Sequence, residues 1–315
     1  MAMLSKLDRR ALLAYFLVCT VWGSTYIAIR WGVEHLPPLL FAGVRHLVAG
    51  LLLGAVVLWR GLPRPASWAE AAWLASGGLF FMTISNGSVV WAEQFVPSGV
   101  ASVYVVLVVV WTALADALIP GGHSRITLRV VTGLVIGSLG AVLLVGTSLR
   151  DLLSSDLRGP AMLTLASMSW GLGTVLMKRR RTDASPFTVA AMQMTAGGAV
   201  LVLLGLVKGE LATFHLDPTG AGALAYLIVA GSIVGFGAYV YALRHMSPTA
   251  LGTYAYVNPV VAVALGWLLG HEAVTGRMLL AMVLMVGAAA LIQFGDRLTR
   301  LAPRAAIGPV PGAQE

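Results

Sequence analysis

The chain has 315 residues, of which 58% are hydrophobic and 11% are charged. A soluble domain carries about 25% charged residues, so this composition excludes a water-soluble protein. Ten spans of about 20 residues would leave roughly ten residues for each connection, which also excludes a separate soluble domain. The single Cys19 excludes an intramolecular disulfide and a multi-cysteine metal site, and we expect no metal and no other cofactor.

Ten apolar runs, each close to 20 residues long, follow one another along the chain. A run of this length matches a membrane-spanning helix; a barrel strand has about 10 residues and alternating polarity, which these runs lack. We therefore predict an all-α membrane protein with ten transmembrane helices. The predicted spans are 11–30, 39–59, 71–92, 97–119, 126–146, 159–178, 187–207, 221–243, 249–270 and 276–295.

The second half of the chain repeats the first at an offset of 148 residues. Because a five-helix unit has an odd number of spans, its second copy enters the membrane from the opposite side. We therefore predict two inverted five-helix repeats, at 11–146 and 159–295, with a cytoplasmic segment at 1–10 and a disordered cytoplasmic tail at 296–315. The offset pairs Trp22-Gly23 with Trp170-Gly171, Arg30 with Lys178, Pro38 with Pro186 and Gly50 with Gly198.

Basic residues are unevenly distributed between the two predicted sides of the membrane. With the N-terminus inside, fifteen of the 21 Lys and Arg residues lie in cytoplasmic segments, five lie outside and Arg45 lies within a span. This bias predicts a multi-pass protein of the bacterial inner (plasma) membrane with both termini in the cytoplasm. The net charge of +8 is explained by contact with anionic lipid, so we expect the lipid bilayer and not nucleic acid as a partner. The basic run from Lys178 to Arg181 is interpreted as such a lipid anchor.

Short motifs in both repeats resemble those of a known family. They are Trp22-Gly23-Ser24-Thr25 in the first span, Pro38 with Phe41 and Arg45 in the second, and Asn258-Pro259 with Gly270-His271-Glu272 in and after the ninth. Together with ten spans in two repeats, these motifs are similar to those of EamA-type members of the drug/metabolite transporter superfamily, over about residues 10–295. The resemblance implies an exporter of metabolites or amino acids and names no substrate.

The sequence departs from the family pattern at the end of the fourth span. The first repeat has Pro120-Gly121-Gly122-His123 where a counterpart of Glu272 would be expected. Any role of that glutamate in the first repeat is therefore not carried over.

The strongest candidates for a substrate pathway are large or charged side chains deep within predicted spans. Trp22 and Trp170 each lie eleven residues into a span, or about 16 Å deep, whereas tryptophan prefers the membrane interface. They either line a shared pathway or pack between the repeats. Arg45 has Gln193 as its repeat partner. It binds a solute, extends towards the headgroups or donates to helix carbonyls. The neighbouring His46 is expected to be a packed or lipid-interface residue.

Polar and aromatic residues in other spans complete the predicted pathway. Tyr104 and Trp111 share one face of the fourth helix, and Tyr254 and Asn258 share one face of the ninth. Pro259 cannot donate a backbone hydrogen bond, which predicts a kink that either acts as a gate or is static. The remaining predicted pathway residues are Thr25, Asn86 and Tyr239.

The resemblance implies export of amino acids or related metabolites. Taken with it, these features predict a transporter of small neutral or zwitterionic solutes that works by alternating access, with a monomer sufficient for the pathway. Glu93, Asp116 and Glu272 lie near the ends of spans, so we expect exchange or facilitated diffusion rather than proton coupling. A single intramembrane arginine also favours a small solute with little net charge over a phosphorylated one.

Three alternatives remain open at this point. Two are broad-specificity efflux of drugs or cationic compounds and a sugar-type metabolite carrier. The third and most distant is a polytopic membrane enzyme that uses Ser232 with His46 or His245. Ser232 and His245 lie about 20 Å apart along one helix, too far for a nucleophile and its base, so we expect no enzymatic activity.

Overall fold

The computed structural model describes residues 9–95, 98–119, 127–145, 157–270 and 274–301. Within these ranges the chain forms ten helical spans and no strand, which confirms the predicted fold class. The spans are α1 Arg9–His35, α2 Pro38–Trp59, α3 68–92, α4 Ser98–Leu118, α5 Leu128–Val145, α6 Arg158–Arg179, α7 Pro186–Val207, α8 Pro218–His245, α9 248–270 and α10 Gly276–Leu301. A short 3-10 helix, Glu210–Thr213, precedes α8.

Some predicted features lie outside the described residues. They are the predicted N-terminal segment before residue 9, Pro120-Gly121-Gly122-His123, the pair His271 and Glu272, and the predicted tail beyond residue 301.

The length and composition of the helices fit a bilayer. In the described part of the chain, five helices are long and apolar enough to cross a membrane: Arg9–His35, Pro38–Trp59, Arg158–Arg179, Pro186–Val207 and Pro218–His245. Three shorter apolar helices lie at Tyr104–Leu118, Leu128–Leu144 and Gly276–Ile292. Large apolar side chains such as Leu51, Leu58 and Leu203 are exposed on the outside of the bundle. Exposed apolar surface on this scale is typical of a protein whose surroundings are lipid.

Helix packing follows the internal repeat. The second helices of the two repeats, α2 and α7, pack against each other, and so do the fifth helices, α5 and α10. The first helix of each repeat packs against the fourth helix of the other, as α1 with α9 and α6 with α4. The first helix also contacts the third helix of the other repeat, as α1 with α8 and α6 with α3. The centre of the bundle is therefore built from both repeats.

Glycines allow these inter-repeat contacts to be close. A Cβ atom on Gly50 of α2 would lie 2.5 Å from the backbone nitrogen of Thr195 on α7, and one on Gly198 of α7 would clash with the backbone of Leu47 on α2. Small residues let backbones approach in this way when helices associate in lipid. Gly23 has the same role at the contact of α1 with α9.

The third helix of each repeat contains a π-helical segment. In α3 it is Leu79–Asn86 and in α8 it is Leu227–Phe236, so the two segments begin at the repeat offset. A π-helix shifts backbone bonding from i→i+4 to i→i+5 and often occurs at functional sites. Both segments lie beside the centre of the bundle.

The ninth helix is interrupted, and the interruption lies before the proline. Its two parts are Pro248–Gly252 and Tyr254–Gly270, so the break is at Thr253, whereas Pro259 lies inside the second part. The hydroxyl of Thr253 donates to the carbonyl of Ala250 at 2.7 Å and also bonds to Tyr15 of α1 at 2.8 Å. A side chain that bonds its own preceding turn in this way competes with the helix.

A contact between the repeats lies at each end of the bundle. Where α1 ends, His35 contacts Asp217, the residue that caps the start of α8. At the opposite end, Thr182 after α6 donates to Glu70 in the first turn of α3 at 2.5 Å. Each contact therefore joins the end of a first helix to the start of the other repeat's third helix. Only the contact where α1 ends includes a histidine.

We predict that Gly198→Ala destabilises the protein by about 1–3 kcal/mol, because the added methyl group forces α7 away from α2. The measurement is thermal unfolding of the purified protein in detergent. Gly54→Ala is the matched control, since Gly54 lies one turn beyond Gly50 on α2 and has no atom within 4 Å of an added Cβ. Equal unfolding temperatures for the two variants would contradict the close contact.

We also predict a pH-dependent contribution from Asp217. The backbone N–H of Gly220, at 2.6 Å, and the contact with His35 hold the pKa of its carboxyl below the ordinary value. The ionised carboxylate therefore stabilises the fold fully above about pH 4 and loses this effect as the pH falls through the lowered pKa. Asp217→Asn keeps a good cap residue and should lower the unfolding temperature at about pH 6 and much less at about pH 3.

The matched control for Asp217→Asn is Glu34→Gln. Glu34 pairs with Arg30 at 3.1 Å on the surface, and exposed pairs contribute only about 0–1 kcal/mol. If Asp217→Asn lowers the unfolding temperature equally at both pH values, the ionised carboxylate has no role.

Candidate substrate pathway

A cavity lies at the centre of the bundle, on the side towards the end of α1. About 100 Å³ of it is open to water-sized molecules. We name it the outer cavity, following the orientation predicted from charge. Its lining comes from seven helices of both repeats: Trp22, Thr25, Ile29, Arg45, His46, Met82, Ser85, Asn86, Val89, Val105, Val108, Ala166, Ser167, Trp170, Gly231, Phe236, Tyr254 and Asn258.

Seven of the ten residues predicted from the sequence to form a pathway line this cavity. The side chains of three of them donate hydrogen bonds to backbone carbonyls. The indole N–H of Trp22 donates to Gly231 at 2.9 Å, the hydroxyl of Thr25 to Trp22 at 2.8 Å, and the amide of Asn86 to Phe81 at 3.0 Å. The seven are Trp22, Thr25, Arg45, Asn86, Trp170, Tyr254 and Asn258.

Asn258 ties α9 to α1. With its amide oriented to donate, its nitrogen lies 3.1 Å from the carbonyl oxygen of Tyr254 and 3.0 Å from that of Cys19. Pro259 is buried directly after it. The side chain of Asn258 thus links the helix that contains the proline to the first helix.

Arg45 is buried in the outer half of the bundle, with 5% of its surface exposed. Its Nε donates to the hydroxyl of Ser232 at 3.0 Å, and its guanidinium lies against Gly231, where a side chain would collide with it. Among the described residues no carboxylate forms an ion pair with it. The interpretation that Arg45 extends towards the headgroups is therefore wrong.

His46 is a lining residue that the sequence did not indicate as part of the pathway. Only 2% of its surface is exposed, so it is not at the lipid interface. Neither ring nitrogen has a hydrogen-bond partner within the described residues, although Arg45 and Asn86 both lie near the ring. Its depth was visible in the sequence, but the face that α2 turns to the cavity depends on its neighbours.

Six aromatic side chains form a cluster beneath the outer cavity. Tyr239 contacts the other five rings, with ring-centroid distances of 5.3 Å to Trp170, 5.4 Å to Trp22 and 6.0 Å to Tyr254. The hydroxyl of Tyr239 also bonds to Thr174 of α6. We refer to these rings as the six-ring cluster, which consists of Trp22, Phe81, Trp170, Phe236, Tyr239 and Tyr254.

A second, larger cavity lies on the other side of the six-ring cluster. About 480 Å³ of it is open to water-sized molecules, and we name it the inner cavity. Phe81 and Tyr239 of the cluster form part of its wall, and Gln193, the repeat partner of Arg45, lines it. Its rim carries four cations and one acid: Lys178, Arg180, Arg181, Arg244 and Asp183.

The basic run after α6 makes protein contacts as well as surface charge. Lys178 donates to the carbonyls of Leu243 and Arg244 at 2.5 and 2.7 Å, at the end of α8. Arg179 donates to the carbonyl of Ile119 at 2.6 Å, after α4. These cations satisfy carbonyls that a helix end leaves free. The interpretation of Lys178 and Arg179 as lipid anchors is therefore corrected.

Tyr104 and Trp111 do not line either cavity. Tyr104 packs with Ala92, Ala101 and Leu163 where α3, α4 and α6 meet. Trp111 lies at the close contact of α4 with Gly171 of α6. The structure thus places both predicted residues in helix packing around the pathway.

The chain is similar to membrane transporters over most of its length. The model of the EamA-like transporter family matches residues 9–146 and 157–294. The chain is 38% identical over 288 residues to the "Uncharacterized inner membrane transporter YedA" of Escherichia coli K12, covering 90% of this chain and 91% of that protein. It is 27% identical over 285 residues to "Protein PecM" of Dickeya dadantii, covering 89% and 91% of the two chains.

The fold is also similar to that of a solved crystal structure. It superposes with a TM-score of 0.74 at 22% sequence identity and covers 93% of this chain and 99% of the other. At this identity the similarity shows the fold alone.

Proposed function

The chain belongs to the EamA-like transporter family, and on that premise we propose that it exports amino acids or related small neutral or zwitterionic metabolites. It is a multi-pass membrane transporter, and the named relative in Escherichia coli supports a location in the bacterial inner membrane. The observation that carries the proposed cargo is Arg45, a buried guanidinium that lines a central cavity.

A buried charge without a partner costs several kcal/mol, so Arg45 favours an anionic group in the cavity. Only its Nε is bonded to a side chain in the described residues, to the uncharged Ser232. A carboxylate can accept two parallel N–H bonds from a guanidinium, which is the strongest arrangement available to either group. Trp22 and Tyr254 also line the cavity, and aromatic rings are suited to an ammonium group at the other end of the solute. Together these groups match a zwitterion.

The two cavities support alternating access. They lie on opposite sides of the six-ring cluster, and residues from both repeats line each of them. Rocking of one inverted repeat against the other would open the outer cavity as it closes the inner one. The cluster is the barrier that must rearrange. With both termini in the cytoplasm, as the basic residues predict, the larger inner cavity faces the cytoplasm and receives the cargo for export.

The alternative functions fit these surroundings less well. A cationic drug would meet Arg45 in one cavity and four basic residues at the rim of the other. A sugar would leave the buried charge of Arg45 unpaired. For a hydrolase, Ser232 would need a base, but in the described residues its hydroxyl accepts from Arg45, which stays protonated.

We predict that Trp22→Ala and Trp170→Ala reduce transport while membrane abundance stays near that of the wild type. Aromatic contacts are worth about 0.5–1.5 kcal/mol beyond their burial, which corresponds to roughly a two- to tenfold loss of flux at low solute concentration. The measurement is flux of a panel of amino acids, sugars and cationic drugs into liposomes that contain the purified protein. Trp68→Ala is the control, because Trp68 is exposed at the start of α3.

Flux of sugars or cationic drugs without amino-acid flux would contradict the proposed cargo. Wild-type flux in both tryptophan variants would contradict the assignment of these indoles to the pathway. Loss of flux only in proportion to loss of protein would assign them to packing.

We predict that Arg45→Gln weakens apparent affinity for a zwitterionic amino acid about tenfold or more, since a hydrogen bond to a charged group contributes about 1.5–3 kcal/mol. Arg45→Lys keeps the charge but loses the planar fork, so its loss should be smaller. The carboxamide analogue of the same amino acid should lose little in either variant. The control is Arg60→Gln at the exposed end of α2, and equal losses for acid and amide would show a structural role for Arg45.

A further inference from the structure

His46 lies in the outer cavity with unused hydrogen-bonding capacity. Imidazole has two ring nitrogens, and both of those on His46 are buried without a partner in the described part of the chain. A buried polar group without a partner costs free energy that a bound ligand can recover. Its neighbour along α2, Arg45, lines the same cavity and forms no ion pair with a described carboxylate.

The charged and titratable surroundings of His46 are few. Arg45 is the one charged residue among the described residues that line the outer cavity, and Tyr254 on α9 is the one other titratable residue there. Lining residues contributed by α1, α3, α4, α6 and α8 are apolar or uncharged, and Asn86 of α3 lies close to the ring. The positive charge of Arg45 therefore has no counter-charge among the described lining residues until an anion enters the cavity.

We propose that Arg45 and His46 form a carboxylate-binding subsite, and that His46 takes up a proton when the carboxylate binds. The carboxylate neutralises the field of Arg45 and accepts an N–H bond from the ring. The ring nitrogen that carries no hydrogen then accepts one proton from water, and no bond of the bound molecule changes. By linkage, the carboxylate must bind more tightly as the pH falls.

This inference rests on the proposed function only for the identity of the cargo. Where the cargo is a carboxylate, each molecule bound would bring up to one proton with it. The imidazole of His46 would then carry the proton, although the sequence has no carboxylate at the midplane to do so. Because the proton and the carboxylate would move together, a pH gradient would bias carboxylate flux towards the more alkaline side and would oppose export into a more acidic medium, whereas the carboxamide would not respond.

The test uses isobutyrate and isobutyramide, which have nearly the same shape, and the purified full-length protein in detergent. Binding is followed through protein tryptophan fluorescence, because Trp22 and Trp170 line the cavity. At about pH 6 and about pH 8, on either side of the ordinary histidine pKa of about 6.5, isobutyrate itself stays ionised. We expect wild-type affinity for isobutyrate to be about three- to tenfold higher at the lower pH, with no binding of isobutyramide at either.

Single variants test the roles of His46 and Arg45 separately. His46→Gln should retain binding at the higher pH and lose its pH dependence, whereas Arg45→Gln should lose binding at both pH values. His245→Gln, at the far end of α8, should behave as the wild type. Wild-type binding that does not change with pH, or pH dependence that persists in His46→Gln, would overturn the proposal.

A second measurement needs no variant, in case His46→Gln does not fold. Addition of isobutyrate to wild-type protein in weakly buffered solution should remove protons from the medium, and isobutyramide should not. No proton uptake would overturn the proposal. If isobutyrate binds with these properties while liposomes move no amino acid, the subsite stands and the proposed cargo fails. If liposomes move amino acids but isobutyrate binding does not depend on pH, the proposed cargo stands and the subsite fails.

Discussion

The close contact of α2 with α7 determines where the rest of the pathway lies. Lipid offers no hydrophobic drive for two apolar helices to associate, so they are held by backbone approach at small residues. Gly50 and Gly198 provide this approach at equivalent places in the two repeats. Arg45 and Gln193 lie five residues before these glycines, beside the contact, and are buried at the centre of the bundle. One packing constraint thus places a cation in the outer cavity and a neutral amide in the inner one.

The repeat preserves backbone geometry and changes side-chain chemistry. Both π segments begin at the repeat offset, and both ends of the bundle have an inter-repeat contact. However, the contact at the end of α1 has a histidine where the other has Thr182, and the exposed Arg30 corresponds to Lys178, which binds the end of α8. Alternating access needs two states of similar free energy, which symmetric backbones favour. The asymmetric side chains then distinguish the two sides for a charged solute.

The number, type and approximate limits of the helices could be predicted, because run length and the internal repeat determine them locally. The midplane depth of Trp22 and Trp170 followed from the same counting. Which face a helix turns inward depends on its neighbours, and this explains why His46 was missed and why Tyr104 and Trp111 were placed in the pathway. Neither the π segments nor the interruption of α9 has a marker in the sequence. Pro259 lies within the second part of α9. The interruption is at Thr253, whose hydroxyl bonds to Tyr15 of α1.

The π segments connect the six-ring cluster to backbone hydrogen bonding. The carbonyl of Gly231 in α8 accepts the indole N–H of Trp22, and the carbonyl of Phe80 in α3 accepts the hydroxyl of Ser169 on α6. In a bilayer such carbonyls have no water to bond, so a ring that moves away leaves an acceptor that needs another donor. If Trp22 moves to open the cluster, the carbonyl of Gly231 loses this donor, and Gly231 is a residue that packs against the guanidinium of Arg45. The guanidinium of Arg45 packs against this residue and is a donor of the required kind, so it can offset the cost of opening the barrier.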